Sequence, residues 1–147
     1  MHIIIMSGTS GSGKNTYIQK HYPTAAVVSA DDFFEKSGVY VFDHNKLSEA
    51  HGECFFNFLT LLFNKNELIV VNNTNTSVIE MAPYVAAANA FKASLELITL
   101  IKDPVLCAER NVHGVPLKSI QNMLFKIKSR TIPKNWNFTL ITEITTD

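Results

Sequence analysis

The stretch GTSGSGK at residues 8–14 limits what this chain can fold into more than any other segment. It follows the apolar run HIIIM at residues 2–6 and precedes a segment of helical character. The spacing matches G-x-x-x-x-G-K, in which glycines let the backbone wrap an anion and the first amides of a helix point at a phosphate. We therefore predict a strand, a phosphate-binding loop and a helix, with Lys14 reaching the β- and γ-phosphates of a nucleotide. The predicted nucleotide ligands are Gly8, Ser10, Gly11, Ser12, Gly13, Lys14, Asn15 and Thr16.

Short apolar runs alternate with longer helical stretches along the rest of the chain. The predicted strands cover residues 2–6, 25–30, 67–72, 94–101 and 138–144. The predicted helices cover residues 14–21, 45–64, 77–91, 103–111 and 117–129. This alternation predicts an α/β fold, with a five-stranded parallel sheet between two layers of helices. Ligands bind such sheets at the carboxyl ends of the strands, so we expect the site just after residues 6, 30, 72 and 101.

The chain length of 147 residues predicts a single domain over residues 1–147. Cys54 and Cys107 lie far apart and form no ligand spacing with histidine, which indicates a reducing compartment and no zinc site. No signal peptide is evident, and no apolar window approaches the roughly 18 residues of a membrane span. We therefore expect a cytoplasmic protein without a membrane partner.

The charge is balanced overall but unevenly distributed. The formal net charge is +0, yet residues 102–136 hold seven Lys/Arg against two acids. Residues 31–53 hold six acids against two lysines. A basic segment can bind phosphate, whereas a neutral chain with an acidic stretch argues against wrapping a long nucleic acid.

Two aspartates follow the second predicted strand. In phosphoryl transfer to a hydroxyl, an aspartate accepts the proton and aligns the acceptor, and carboxylates also hold Mg²⁺ through its waters. We predict Asp31 as this base and as a metal ligand, and Asp32 as an acceptor-binding residue. The alternative is that Ser29 or an aspartate only caps a short helix.

The third predicted strand ends in Asn72-Asn73-Thr74-Asn75, where an ATPase would normally carry a metal-holding carboxylate. None is present, which weakens an ATPase interpretation and favours Asp31 as the metal-shell acid. Thr74 and Asn75 are predicted to bind the acceptor or to orient Asp31. Equally, these polar residues could only satisfy backbone amides in a turn.

The segment RNVHGVP at residues 110–116 links two predicted helices. An arginine on such a loop can supply positive charge to the transferring phosphoryl group, and we predict this role for Arg110. His113 could assist. The alternatives are an exposed cation at a helix end and a surface histidine.

Taken together, these motifs resemble the P-loop kinase family that includes phage 5′-hydroxyl polynucleotide kinases. The resemblance is closer to related kinase-like domains of viruses, bacteria and eukaryotic multidomain proteins. The segments that carry it are GTSGSGK (8–14), SADDFF (29–34), LSEAHGECF (47–55), IVVNNTNT (69–76), APYVAAANAF (82–91) and RNVHGVP (110–116). The resemblance implies a P-loop NTPase fold with a lid over about residues 104–130. It also implies Lys14 as the phosphate lysine, Asp31 as the general base and Arg110 as the lid arginine.

Two departures from this family accompany the resemblance. Polynucleotide kinases of this type have an arginine shortly after the aspartate, whereas this chain reads Phe33-Phe34-Glu35. Asn15 replaces the Ser/Thr that normally ligates Mg²⁺, and the next hydroxyl is on Thr16. Adenylate kinases, whose loop reads G-K-G-T, tolerate a similar arrangement. We expect Mg²⁺ to be held by nucleotide, water and Asp31, with Asn15 and Thr16 as further candidate ligands.

The sequence thus predicts an ATP- or GTP-dependent, Mg²⁺-requiring phosphotransferase that acts on a hydroxyl. The acceptor is expected to be the 5′-end of a nucleic acid or a nucleotide-like molecule. One alternative is a small-molecule nucleoside or nucleotide kinase, which the acidic stretch favours. The other is a nucleotide-binding module without turnover, which Asn15 and the missing carboxylate favour.

Overall fold

The computed structural model describes residues 1–146, which form five strands and five α-helices. The strands are β1 (His2–Gly8), β2 (Ala26–Val28), β3 (Leu68–Asn72), β4 (Ser94–Lys102) and β5 (Phe138–Thr146). The α-helices are α1 (Lys14–His21), α2 (Leu47–Phe63), α3 (Val78–Ala90), α4 (Pro104–Arg110) and α5 (Leu117–Ser129). Short 3₁₀ helices cover Ala30–Glu35, His44–Lys46 and Lys134–Trp136.

The five strands form one parallel sheet in the order β2-β3-β1-β4-β5. This confirms the predicted α/β fold with a five-stranded parallel sheet. In the register of β1 with β3, Met6 pairs with Asn72. The phosphate loop that follows β1 therefore lies beside the polar residues that follow β3.

The central strands are buried on both faces, as their continuous apolar character requires. Ile3 and Ile5 of β1 point into the larger core, which also contains side chains of α2 and α3. Ile4 and Met6 point to the opposite face and pack with Ile18 of α1. A rigid double-sided core thus fixes the edge of the sheet at which the loops meet.

Local capping decides several boundaries that apolar patterning does not reveal. The strand β2 ends at Val28 rather than residue 30, because the Ser29 hydroxyl accepts a hydrogen bond from the Asp31 amide and starts a 3₁₀ turn. The Asp43 carboxylate likewise caps the turn before α2. Ser77 and Glu80 form a reciprocal capping box at the start of α3.

The guanidinium of Arg130, just after α5, is hydrogen-bonded to two strands and to the loop after a third. It donates hydrogen bonds to Ser7 Oγ (2.9 Å), the Asn75 carbonyl (2.5 Å) and Thr99 Oγ1 (3.0 Å). Burial lowers the pKa of Arg130, an effect that Glu143 and Glu80 oppose. Arg130 therefore connects β1, β4 and the loop after β3.

We expect Arg130→Met to lower the free energy of unfolding by about 2 kcal/mol, because charged hydrogen bonds are lost and buried acceptors lose their donor. Urea unfolding followed by circular dichroism measures this change. Lys128→Met, on an exposed position of the same helix end, is the control and should change stability little. Equal effects of the two substitutions would show that the buried network contributes nothing.

Candidate active site

A cavity of about 220 Å³ lies at the carboxyl ends of the strands. It brings together most of the residues that the sequence predicts: Ser10, Gly11, Gly13, Lys14, Asn15, Thr16, Asp31, Thr74, Arg110 and His113. Four further lining residues were not assigned a role from the sequence: Asn72, Asn73, Asn111 and Val112. Gly8, Ser12, Asp32 and Asn75 are predicted site residues that do not line this cavity.

The phosphate loop has the backbone shape that its glycines permit. Gly11 and Gly13 adopt φ angles of +78° and +95°, in the left-handed region that disfavours side chains. A Cβ atom on Gly11 would also lie 2.3 Å from the carbonyl oxygen of Cys107. The Thr9 hydroxyl donates to Cys107 Sγ at 3.3 Å. The loop is thus fixed against α4.

The first turn of α1 has no partner of its own for its amides. Gly13, at the N-cap, offers no side chain, and the first turn contains no acidic residue. These amides carry the positive end of the helix dipole, which favours an anion. Ser12, which is 3% exposed, has a buried Oγ with no hydrogen-bond partner among the described residues. The uncapped amides of this turn therefore supply donors for a phosphate, whereas the Ser12 hydroxyl lies outside the cavity lining.

Lys14 adds a positive charge to this loop. Its Nζ donates to the carbonyls of Gly8 and Thr9, both at 3.0 Å. Burial lowers the pKa of Lys14 to about 8, although the negative charge of Asp31 acts in the opposite direction. A phosphate anion would stabilise the charged ammonium and raise this pKa.

Asn15, in the position of the usual metal-ligating hydroxyl, is hydrogen-bonded across the cavity. Its Oδ1 accepts from Asn72 Nδ2 at 2.6 Å. Asn72 is the last residue of β3, and its own Oδ1 is buried without a hydrogen-bond partner among residues 1–146. Two neutral amides therefore stand where P-loop enzymes commonly place a hydroxyl and a carboxylate. The sequence showed that a carboxylate was missing but not that these two amides pair.

Asp31 lies on the cavity wall with about half of its side chain exposed. The Ser29 hydroxyl caps the turn here, so neither aspartate carboxylate is used as the cap. Asp32 is exposed and lies outside the cavity lining. Burial and the charges of Glu35, Asp31 and Glu53 raise the pKa of Asp32, which indicates a concentration of negative charge on this side.

The polar residues after β3 divide between the cavity and the scaffold. Thr74 lines the cavity. Asn73 Oδ1 accepts from the Ala30 amide at 2.8 Å and so holds the turn that carries Asp31. Asn75 is 2% exposed, has a φ of +44° and donates to the Met6 carbonyl at 2.7 Å. Its side-chain amide thus holds β1, in line with the structural alternative for this segment.

The loop between α4 and α5 forms another wall of the cavity, facing the residues that follow β2. Arg110 is the last residue of α4 and is exposed at the cavity. Asn111 Oδ1 accepts from the Val115 amide at 2.8 Å, and its amide donates to the Val115 carbonyl at 3.1 Å. His113 Nε2 lies 3.7 Å from Asp31 Oδ2, and the His113 ring packs on Tyr40 with centroids 3.9 Å apart. The loop therefore meets the residues after β2 across the cavity.

The profile of a family described as AAA domain matches residues 3–113 of this chain. The chain belongs to this family. It is also 36% identical over 130 residues to human NEDD4-binding protein 2, an alignment that covers 83% of this chain and 7% of that protein. The chain thus spans a small part of the length of that relative.

Several solved structures, two of them kinases, have the same fold at low sequence identity. A chain of the Pnkp1/Rnl/Hen1 RNA repair complex superposes with a TM-score of 0.69 at 17% identity, over 87% of this chain and 45% of that chain. The Mycobacterium tuberculosis APS kinase in complex with AMPPNP and APS gives 0.61 at 17% identity, over 99% and 88%. A gluconokinase from Sinorhizobium meliloti gives 0.61 at 15% identity, over 98% and 82%. The fold is therefore that of P-loop kinases.

Two properties of the described part of the chain bear on possible ligands. Among residues 1–146, no helix is long and apolar enough to cross a membrane. The same residues contain no cluster of three or more His, Cys, Asp or Glu side chains that could hold a metal ion.

We expect the affinity for ATP to fall as the pH rises above about 8, because the ammonium of Lys14 loses its proton near that pH in the free protein. The bound phosphate raises the pKa, so the fall should approach tenfold per pH unit between the free and bound pKa values. Calorimetric titration with a non-hydrolysable ATP analogue from pH 7.5 to 9.5 measures it. Lys14→Arg keeps its charge throughout and should bind with little pH dependence. A flat wild-type profile would contradict this assignment.

Proposed function

We propose that the chain is a nucleoside-triphosphate-dependent phosphotransferase that moves the γ-phosphoryl group to an acceptor hydroxyl. One observation carries the proposal: a single cavity is lined by Lys14 at an uncapped helix start, by Arg110, and by the carboxylate of Asp31. The first two groups attract phosphate, and the third can take a proton. The fold that the chain shares with solved P-loop kinases supports the same reaction class.

In the proposed reaction, the phosphate loop and Lys14 bind the β- and γ-phosphates of ATP or GTP. The oxygen of the acceptor hydroxyl bonds to the γ-phosphorus, and Asp31 accepts the proton that this hydroxyl loses. The bond from the γ-phosphorus to the bridging oxygen breaks, and the diphosphate leaves. Arg110 stabilises the charge that spreads over the transferring oxygens. Thr74, which lines the same cavity, holds the acceptor.

The cavity offers oxygen donors that fit Mg²⁺, the ion that P-loop kinases generally use. The buried, unpartnered Oδ1 of Asn72 is a free acceptor oxygen, and Asn15, Thr16 and Asp31 line the same cavity. Carboxylate, amide and hydroxyl oxygens are suitable ligands, directly or through water. The bound ion would neutralise phosphate charge. The amides of Asn15 and Asn72 carry no formal charge. Most of the attraction for the ion would therefore come from the nucleotide and from Asp31.

Asp31→Asn is expected to reduce phosphoryl transfer by at least about 100-fold, because the amide cannot accept the hydroxyl proton. Nucleotide affinity measured in EDTA should change little, since the lost carboxylate is a candidate ligand of Mg²⁺ but not of the phosphates. Transfer from labelled ATP to a panel of nucleosides, mononucleotides and 5′-hydroxyl oligonucleotides measures the first effect. Glu35→Gln, on the same acidic surface outside the cavity, is the matched control. Full transfer by Asp31→Asn would refute the base assignment.

Asn15→Ser combined with Asn72→Asp should make nucleotide binding depend more strongly on Mg²⁺, because a hydroxyl and a carboxylate replace two neutral amides. We expect the ratio of dissociation constants in EDTA and in Mg²⁺ to grow at least about tenfold. Turnover should also rise in Asn15→Ser alone. Asn57→Asp, on an exposed position of α2, controls for added charge. An unchanged ratio would show that Asn15 and Asn72 lie outside the metal shell.

The second candidate function is a nucleotide-binding module without turnover. The observation that favours it is the Asn15–Asn72 hydrogen bond, which ties up the position of the usual metal-ligating hydroxyl. This candidate predicts intact nucleotide binding with no label on any acceptor of the panel. Transfer that depends on Asp31 would eliminate it.

A further inference from the structure

Residues 39–42, which we name the aromatic lip, form an apolar and aromatic surface beside the cavity. Val39 and Val41 are each 64% exposed, and Phe42 is 51% exposed. The Phe42 ring packs against Phe34 with centroids 5.1 Å apart and lies nearly parallel to the Tyr40 ring, at an interplanar angle of 12°. The contact between Phe42 and Phe34 thus holds the lip in place, while Val39, Val41 and much of Phe42 remain exposed.

The aromatic lip is continuous with the proposed acceptor side of the site. The Tyr40 ring contacts His113, a cavity-lining residue whose Nε2 is 3.7 Å from the Asp31 carboxylate. Burial, with Asp31 and Glu35 contributing, raises the pKa of Tyr40 to about 12, so its hydroxyl stays neutral. His113 therefore connects the carboxylate of Asp31 to the neutral aromatic surface of the lip.

The surroundings of the aromatic lip exclude a run of phosphates. Residues 31–53 contain six acids and two lysines. One of these lysines, Lys36, is already paired with Glu53 at 2.7 Å. A polyanion crossing this surface would meet net negative charge, whereas an uncharged base can stack on exposed aromatic rings. The chemistry therefore selects a flat, neutral ring system attached to a hydroxyl.

We propose that the aromatic lip binds the base of an acceptor nucleoside, with Phe42 as its stacking residue, so that recognition is limited to the one nucleoside that carries the reacting hydroxyl. This inference rests on the proposed phosphotransferase function and narrows its acceptor. Nucleosides and the 5′-terminal nucleoside of an oligonucleotide then bind alike. Phosphates further along a chain add little affinity, and binding depends only weakly on salt.

A binding experiment tests the proposal without requiring turnover. The chain contains one tryptophan, Trp136, so Phe42→Trp combined with Trp136→Phe places a single fluorophore on the lip. Phe63→Trp combined with Trp136→Phe is the matched control. Phe63 is 72% exposed but ends α2 just before β3. It therefore lies near the amino ends of the strands, away from the cavity at their carboxyl ends. Each variant is saturated with a non-hydrolysable ATP analogue and titrated with adenosine, guanosine, a 5′-hydroxyl dinucleotide, a 5′-hydroxyl dodecanucleotide and gluconate.

We expect nucleosides and both oligonucleotides to quench the fluorescence at the Phe42 position with dissociation constants within about threefold of each other, and gluconate to have no effect. The Phe63 control should not respond. Affinity that rises at least tenfold from dinucleotide to dodecanucleotide and weakens steeply with salt would overturn the proposal in favour of a polynucleotide track. A second outcome would also overturn the proposal: the ATP analogue alone quenches the fluorescence, and nucleosides then cause no further change. The lip would in that case bind the phosphate donor instead of the acceptor.

Kinetics provide a second, independent test. Phe42→Ala should raise the acceptor KM about tenfold or more, as expected for losing one base stack, while the KM for ATP stays constant. Phe42→Tyr should restore the acceptor KM, because it restores the ring. Quenching without transfer would leave the lip assignment intact and refute the kinase proposal. Transfer to gluconate without any nucleoside response would refute the lip assignment and leave the kinase proposal intact.

Discussion

The buried ammonium of Lys14, held on two backbone carbonyls at the uncapped start of α1, is the interaction on which the site depends. It places a cation and the positive end of a helix in the same small volume. Burial makes this ammonium unfavourable without an anion, as the lowered pKa of Lys14 shows. The left-handed backbone of Gly11 and Gly13 and the close approach of Gly11 to Cys107 fix the shape of the loop.

Most of the fold was predictable because its signals are local. The apolar runs and the helical spacing between them gave all five strands and all five α-helices, and parallel pairing followed from their alternation. The ends of β2 and the start of α2 were displaced, since Ser29 and Asp43 cap short turns there. The strand order was beyond the sequence argument, because it depends on which strands pack together over long distances.

The candidate site divides in the same way between local and distant signals. The sequence could predict that Lys14, Asp31 and Arg110 lie at the same edge of the sheet, because each follows a strand or lies at a helix end there. The hydrogen bond from Asn72 to Asn15 joins residues 57 positions apart, and that from Arg130 to Ser7 joins residues 123 positions apart. No spacing rule reveals such partners in a single sequence. A role for Asn72 could nevertheless have been predicted, since Asn72 ends β3, where P-loop enzymes commonly carry a metal-holding carboxylate.

The cavity separates two chemical environments, and this polarity bears on the direction of the proposed reaction. The phosphate loop, Lys14 and Arg110 form a positive wall, while Asp31 and its acidic neighbours face it from beyond β2. A neutral hydroxyl compound can approach the acidic side without electrostatic cost. Once phosphorylated, the same molecule gains between one and two negative charges, as any phosphate monoester does near neutral pH. Its repulsion from the acidic wall then favours release of the product over its return to the site.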